Sequence, residues 1–213
     1  MQAVGVLIAA GQSRRFGADK LLHPLADGSP LALAALRNLK PACAEVVVVL
    51  RPEQENLASL LWNEGARIVI CEDSHAGMGH SLAAGVRASA HAHGWLLALA
   101  DMPYVQTATM RRVAEAIGSG ASIAAPIHQA QRGHPVAFSR KWYPRLASLS
   151  GDTGARSLLQ AHADELVLIA CDDAGIHRDI DTPADLISAS TLTGSPPDPE
   201  FRCCLRCPAD SAF

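Results

Sequence analysis

The residues best equipped for chemistry fall in five short segments. The first is Leu7-Ile8-Ala9-Ala10-Gly11-Gln12-Ser13-Arg14-Arg15-Phe16-Gly17-Ala18-Asp19-Lys20. Small side chains at Ala9, Ala10 and Gly11 would let a ligand touch main chain. Gly11 and Gly17 permit positive φ, so backbone N–H groups can curl around an anion, and Arg14, Arg15 and Lys20 add positive charge. A phosphate-binding loop fits this composition better than a plain turn. Five residues separate the two glycines and Lys20 follows Gly17 by three. That is neither the Gly-x-x-x-x-Gly-Lys-Ser/Thr of a P-loop nor a dinucleotide Gly-x-Gly-x-x-Gly.

The second segment, Gly77-Met78-Gly79-His80-Ser81-Leu82, opens a helix whose free N–H groups attract anions. Ser81 or His80 could equally serve only as its cap. The third, Leu99-Ala100-Asp101-Met102-Pro103, puts a carboxylate at the end of a buried strand, suited to a metal ion or to capping the next turn. Mg²⁺ often takes one or two carboxylates and completes its shell with phosphates and water. The fourth joins Gln131-Arg132-Gly133-His134-Pro135-Val136 to Gly151-Asp152-Thr153-Gly154-Ala155-Arg156, two polar glycine-rich stretches able to clamp a polar or phosphorylated substrate. Asp152 or Thr153 is expected to cap the helix that follows. The fifth is Asp179-Ile180-Asp181-Thr182-Pro183-Ala184-Asp185-Leu186, in which Thr-Pro marks a helix start. Asp179 and Asp181, two apart in extended chain, point the same way. Either could join Asp101 at a metal, or Asp181 could only mark the turn. His91 and His93 read as surface residues. Cys203, Cys204 and Cys207 are one ligand short of a closed zinc site and read as incidental.

These segments need a frame. Apolar runs without alternation occur at Val4–Ala10, Glu45–Leu50, Arg67–Ile70, Trp95–Ala100, Ser122–Ala125, Pro135–Phe138 and Glu165–Ala170. Such runs predict strands covered on both faces. Helix-like stretches intervene at Pro30–Leu39, Glu53–Asn63, Gly79–Ala90, Thr107–Ile117 and Thr153–Ala163. The alternation predicts an α/β protein with right-handed crossovers and a mostly parallel sheet between helices. Ligands would then gather outside the carboxyl ends of the strands. Pro126–Pro135 reads as a loop or small hairpin. Residues 1–189 form one domain, and the breaker-rich 190–213 is expected to be a poorly ordered tail.

Composition sets further bounds. The chain has 213 residues, 49% hydrophobic and 18% charged, with a net charge of −3. This is enough to bury a core. There is no basic excess for nucleic acid, and no apolar run is long enough for a membrane span. The apolar N-terminal stretch lacks a preceding basic residue, so it does not read as a signal peptide. Cys43, Cys71 and Cys171 read as free buried thiols, and a reducing cytoplasm is expected.

Together the segments resemble a known family. Strand-Ala-Ala-Gly-x-Ser-x-Arg-Phe-Gly-x-x-Lys is similar to the signature of the MobA-like NTP transferases. These are the molybdopterin-cofactor nucleotidyltransferases of the nucleotide-diphospho-sugar transferase fold. The other four segments resemble that family's blocks in order, from residue 5 to about 187. Ala9-Ala10-Gly11, Gly133-His134-Pro135 and Gly151-Asp152-Thr153-Gly154-Ala155-Arg156 lean towards the molybdenum cofactor cytidylyltransferase (MocA-like) branch. Cys71–Ala76 lacks the Asn and Trp that the family commonly carries there.

The resemblance implies a three-layer α/β/α Rossmann-like sandwich. It also implies Mg²⁺-dependent transfer of CMP from CTP to a phosphate of the molybdopterin-type cofactor, with release of pyrophosphate. Asp101 and Asp181 would hold the metal, while Arg15 and Lys20 would hold the β,γ-phosphates. Ala9, Ala10, Gly11 and Ser81 would border the nucleotide, and Arg132, His134 and Arg156 the pterin side. A molybdoenzyme or its chaperone would receive the product. The alternatives are transfer from another triphosphate to a different phosphorylated acceptor, or a non-catalytic carrier of the cofactor.

Overall fold

The computed structural model describes residues 3–11, 16 and 19–190. Arg15, and the expected tail beyond Ser190, lie outside the described residues. Five strands built from apolar runs carry the frame: β1 (Val4–Ile8), β2 (Val46–Leu50), β3 (Arg67–Ile70), β4 (Gly94–Leu99) and β5 (Ile123–His128). Alternate residues of each strand enter different cores, as the period of two requires. Leu7, Val48, Leu96, Ala98 and Ala124 meet the helices α1 (Leu31–Leu39), α2 (Glu55–Asn63) and α4 (Thr107–Gly118) on one face. Val4, Val6, Ile8, Val47, Val49, Trp95 and Leu97 meet α3 (Met78–Ala88), α5 (Tyr143–Ala147) and α6 (Arg156–Ala161) on the other. The result is the expected three-layer sandwich.

The sheet runs β3-β2-β1-β4-β7-β5, with β7 at Val136–Ser139, and β8 (Leu166–Ala170) pairs with β5. β7 is antiparallel to both its neighbours, and the other long strands run parallel. Order reverses between β1 and β4, so the carboxyl ends of these two strands form the switch point at which open α/β sheets bind ligands. One expectation about the crossovers is corrected. The sheet steps from β1 to β2 in one direction and from β4 to β5 in the other, yet α1 and α4 lie on the same face. The β4-α4-β5 connection therefore has the opposite hand to the three before it. Beneath β7 the other face is already filled by Trp142 and Leu146 against Phe138.

Pro126–Pro135 resolves as a hairpin. β5 continues to His128, Gln129 and Ala130 turn with φ of 48° and 62°, and Gln131–Arg132 returns as β6. Two residues at positive φ are the requirement of a type I′ turn. Burial of the apolar runs on both faces holds for β1, β2 and β4 but fails at β3 and β8. These two have one neighbour each and leave Ile70, Val167 and Leu168 exposed. The helix expected from Thr153 begins only at Arg156, with Ala155 as its N-cap and no capping side chain. Asp152 and Thr153 thus do not cap it. Cys43 and Cys71 are buried free thiols, whereas Cys171 is half-buried. Burial pushes the Cys43 thiol up to about 12. No helix among the described residues is long and apolar enough to cross a membrane.

Candidate active site

At the switch point, Ala9 N donates to Val49 O at 3.0 Å and Ala100 N to Ile8 O at 3.0 Å. The strand ladder is thereby extended into the two loops that leave β1 and β4. Ala9 and Ala10 are buried, and Gly11 is exposed. Gln54 secures the first loop: its Nε2 donates to Ala9 O at 3.1 Å while its Oε1 accepts from Arg51 N at 2.8 Å. No pattern in the sequence singles out this glutamine, because its role depends on a partner forty-five residues away.

The loop returns to the sheet in a short 3-10 turn, Lys20–Leu22. Lys20 is only 6% exposed, and its Nζ lies 3.0 Å from Asp101 Oδ2 and 3.2 Å from Asp181 Oδ1. Three segments widely separated in the chain thus meet at one ammonium. Two devices bring Asp181 there. Ile180 N donates to Asp101 O at 2.9 Å, so the backbone of the fifth segment is stitched to that of the third. Asp185, three residues into α7 (Pro183–Ser190), accepts from Thr182 N, Thr182 Oγ1 and Asp181 N. This is the carboxylate half of a capping box, and the same carboxylate also fixes the residue before the cap. These bonds hold the Asp185 carboxyl below the usual range. Asp179 is exposed and stays outside the cluster. Buried Asp173 braces the same region, accepting from Gln106 N and Gly175 N.

The donor set suits a divalent cation. Asp101 and Asp181 aim at one point already held by a cation, and Asp101 Oδ1 is buried without a hydrogen-bond partner among the described residues. No group of three or more His, Cys, Asp and Glu among those residues could hold a metal alone. An ion bound between two carboxylates would take its remaining ligands from phosphate oxygens and water.

Two cavities adjoin this end of the sheet. One, of about 400 Å³, is lined by Ala10, Gly11, Ser74, Gly77 and Ser81 among others. Ser81 is 2% exposed and is not the cap of α3, which Gly77 begins with no side-chain cap. Gly77 has φ 126°, and a Cβ there would lie 2.4 Å from Gly151 O. Gly79 N donates to that same oxygen at 2.8 Å, so one of the helix's leading amides is spent on the fourth segment and not free for an anion. The second cavity, of about 540 Å³, brings Arg132, His134 and Arg156 together over an apolar floor that includes Leu82, Leu97 and Leu159. Ile8, Met78 and Asp152 line both cavities. Gly133 admits the close approach of Ile176, whose O accepts from His134 N at 3.0 Å. A Cβ at Gly133 would lie 2.4 Å from that oxygen. Burial lowers the His134 pKa, Arg132 pushes it the same way, and Asp101 and Asp179 oppose them. At neutral pH the imidazole is uncharged, able to donate one hydrogen bond and accept another.

Comparison with known proteins shows the family. A family model described as the MobA-like NTP transferase domain matches residues 5–176. A nicotine blue oxidoreductase of Paenarthrobacter nicotinovorans is 35% identical over 187 residues, covering 84% of this chain and 91% of its own. The purine catabolism protein PucB of Bacillus subtilis (strain 168) is 31% identical, covering 85% and 93%. A molybdenum cofactor guanylyltransferase of Burkholderia ambifaria is 38% identical over 117 residues, covering 53% and 55%. Among solved structures, Rv0371c of Mycobacterium tuberculosis H37Rv superposes with a TM-score of 0.78 at 29% identity, covering 89% of this chain and 98% of its own. A second structure of that protein is a complex with manganese, with a TM-score of 0.73 at 29% identity over 88% of this chain and 97% of its own.

Proposed function

Because the chain belongs to the MobA-like NTP transferase family, we propose that it transfers CMP from CTP to a terminal phosphate of a molybdopterin-type cofactor, with Mg²⁺, in the cytoplasm. The observation that carries this reading is the convergence of Lys20, Asp101 and Asp181 where sheet order reverses. The names borne by relatives support the cofactor as acceptor in one case and other activities in others. The resemblance of Ala9-Ala10-Gly11 and the fourth segment to the cytidylyl-transferring branch supports cytosine as the base.

The chemistry is a displacement at phosphorus. An oxygen of the acceptor phosphate bonds to the α-phosphorus of CTP, the bond to the β-phosphate bridging oxygen breaks, and pyrophosphate leaves. A phosphate monoester, with a second pKa near ~6, is already ionised at neutral pH, so no general base is needed. The work lies in neutralising and aligning two polyanions. Asp101 and Asp181 would hold Mg²⁺, which when bound supplies positive charge for the phosphate oxygens. Lys20 and Arg15 hold the β,γ-phosphates and the departing pyrophosphate. Main chain at Ala9, Ala10 and Gly11 borders the nucleotide, and Ser81 helps place its base or ribose in the smaller cavity. Arg132 and Arg156 hold the acceptor's anionic part, and neutral His134 orients it by hydrogen bonding over the apolar floor. Product would pass to a molybdoenzyme or its chaperone.

The test is mass spectrometry of products after incubation with each of the four nucleoside triphosphates, the pterin cofactor and Mg²⁺. The expected result is a cytosine dinucleotide cofactor and pyrophosphate from CTP alone. A guanine product would reassign the base. Binding of the cofactor with no pyrophosphate from any triphosphate would make the protein a carrier. Pyrophosphate formed only with a different phosphorylated acceptor would replace the pterin.

A further inference from the structure

A buried lysine stands between two carboxylates whose chemistry suits a divalent cation. We propose that Lys20 is the site's resident counter-ion. Its ammonium holds Asp101 and Asp181 together until a divalent cation displaces it, and the displaced ammonium is then free for phosphate. The last step rests on the nucleotidyl-transfer reading above; the exchange of cations does not.

Two carboxylates aimed at one point repel, and burial strengthens the repulsion. Lys20 relieves this with N–H donors to Asp101 Oδ2 at 3.0 Å and Asp181 Oδ1 at 3.2 Å. The relief is incomplete. Asp101 Oδ1 is left buried without a partner among the described residues, so the ammonium does not satisfy every oxygen of the pair. A divalent cation offsets both charges and prefers oxygen ligands. It cannot share the position with the ammonium, because the two repel. Lysine carries its charge on a flexible four-carbon stem and can leave without moving the backbone. A triphosphate offers the displaced ammonium a new partner, so metal and nucleotide each favour the other's binding, by reciprocal linkage.

The test uses Mn²⁺ alone as probe on the full chain without nucleotide, followed by electron paramagnetic resonance. Lys20→Met removes the competing charge at similar length and is expected to bind Mn²⁺ at least about tenfold more tightly than the wild type. Lys20→Arg keeps the charge and should stay near wild type. Adding Asp101→Asn to Lys20→Met should abolish the gain. Equal or weaker Mn²⁺ binding by Lys20→Met would overturn the proposal. A second measurement needs no variant. Acetylation of Lys20 by an amine-reactive ester, read by peptide mass spectrometry, should accelerate several-fold when Mg²⁺ is added. Lys40 and Lys141, which pair with Glu64 O and Glu165, serve as internal controls. An unchanged Lys20 rate would also overturn it. Neither readout uses a triphosphate. Tighter Mn²⁺ binding without transfer would therefore remove the proposed function and leave this inference. Pyrophosphate release with unaltered Mn²⁺ affinity would do the reverse.

Discussion

Asp101 does two jobs through two parts of its structure. Its carbonyl oxygen accepts from Ile180 N and fixes the loop that carries Asp181, while its carboxylate meets Lys20. Substituting the side chain separates them. Asp101→Ala should keep its circular dichroism spectrum and lose transfer activity by at least about a hundredfold, the scale of removing one electrostatic contact at a reacting centre. Near-normal turnover with Mg²⁺ would show that this carboxylate holds no catalytic metal. His134 gives a second prediction, in stability. Its folded pKa lies below the ordinary value of about 6.5 because burial disfavours the imidazolium. The unfolded chain therefore binds a proton more readily. The neutral ring's contribution is complete above the unfolded pKa and is lost as pH falls through that value towards the folded one. Wild-type Tm should fall more between about pH 7.5 and about pH 5.5 than that of His134→Gln. Parallel falls would mean that this ring does not set the acid side of the stability profile.

At the level of elements, what matters is how segments are tied to one another. The β5–β6 hairpin delivers Arg132, and the residues just after it pass so close to Ile176 that only glycine fits at position 133. Gly133→Ala should cost about 1–3 kcal/mol, the usual range for forcing a methyl group into a packed site. It should weaken retention of the acceptor more than of the nucleotide, because His134 is the next residue. Urea denaturation and separate binding titrations would check both parts, and wild-type stability would mean that the Ile176 carbonyl yields easily. The hairpin itself was half legible. Gly133 and the lack of a clear strand suggested a turn, but the turn proper lies at Gln129 and Ala130, neither of them a typical positive-φ residue. The cap that Asp185 gives Thr182 is legible once the Thr-Pro start is seen. The helix after the fourth segment starts later than its sequence pattern predicts, because Gly151 and Gly154 adopt positive φ and delay it to Arg156.

For the whole molecule, the sandwich sets a gradient of protection across the sheet. β1, β2 and β4 are buried along their length, whereas β3 and β8 each lean on a single neighbour. Amide exchange should therefore be slowest in the central three strands and faster in the outer two, as expected where backbone hydrogen bonds are open to solvent. Uniform exchange across the sheet, followed by mass spectrometry, would contradict this. The slow strands are those whose carboxyl ends bear the candidate site, so the loops that do chemistry would hang from the most rigid part of the frame.

Unaided, the chain's order of residues determined the layer architecture and the family. Apolar runs spaced by amphipathic stretches admit few other folds, and ordered short blocks survive as local patterns. It also pointed to Asp101, Asp181, Lys20, Arg132, His134 and Arg156 as chemistry-bearing. Only the tertiary structure decided which of them meet. It set Lys20 between the two carboxylates, put Asp152 at the wall of both cavities, and gave the fourth crossover its opposite hand. The reason is physical. Local preferences act over a few residues, while these arrangements join positions up to 161 residues apart, through packing and charge that exist only in the folded chain.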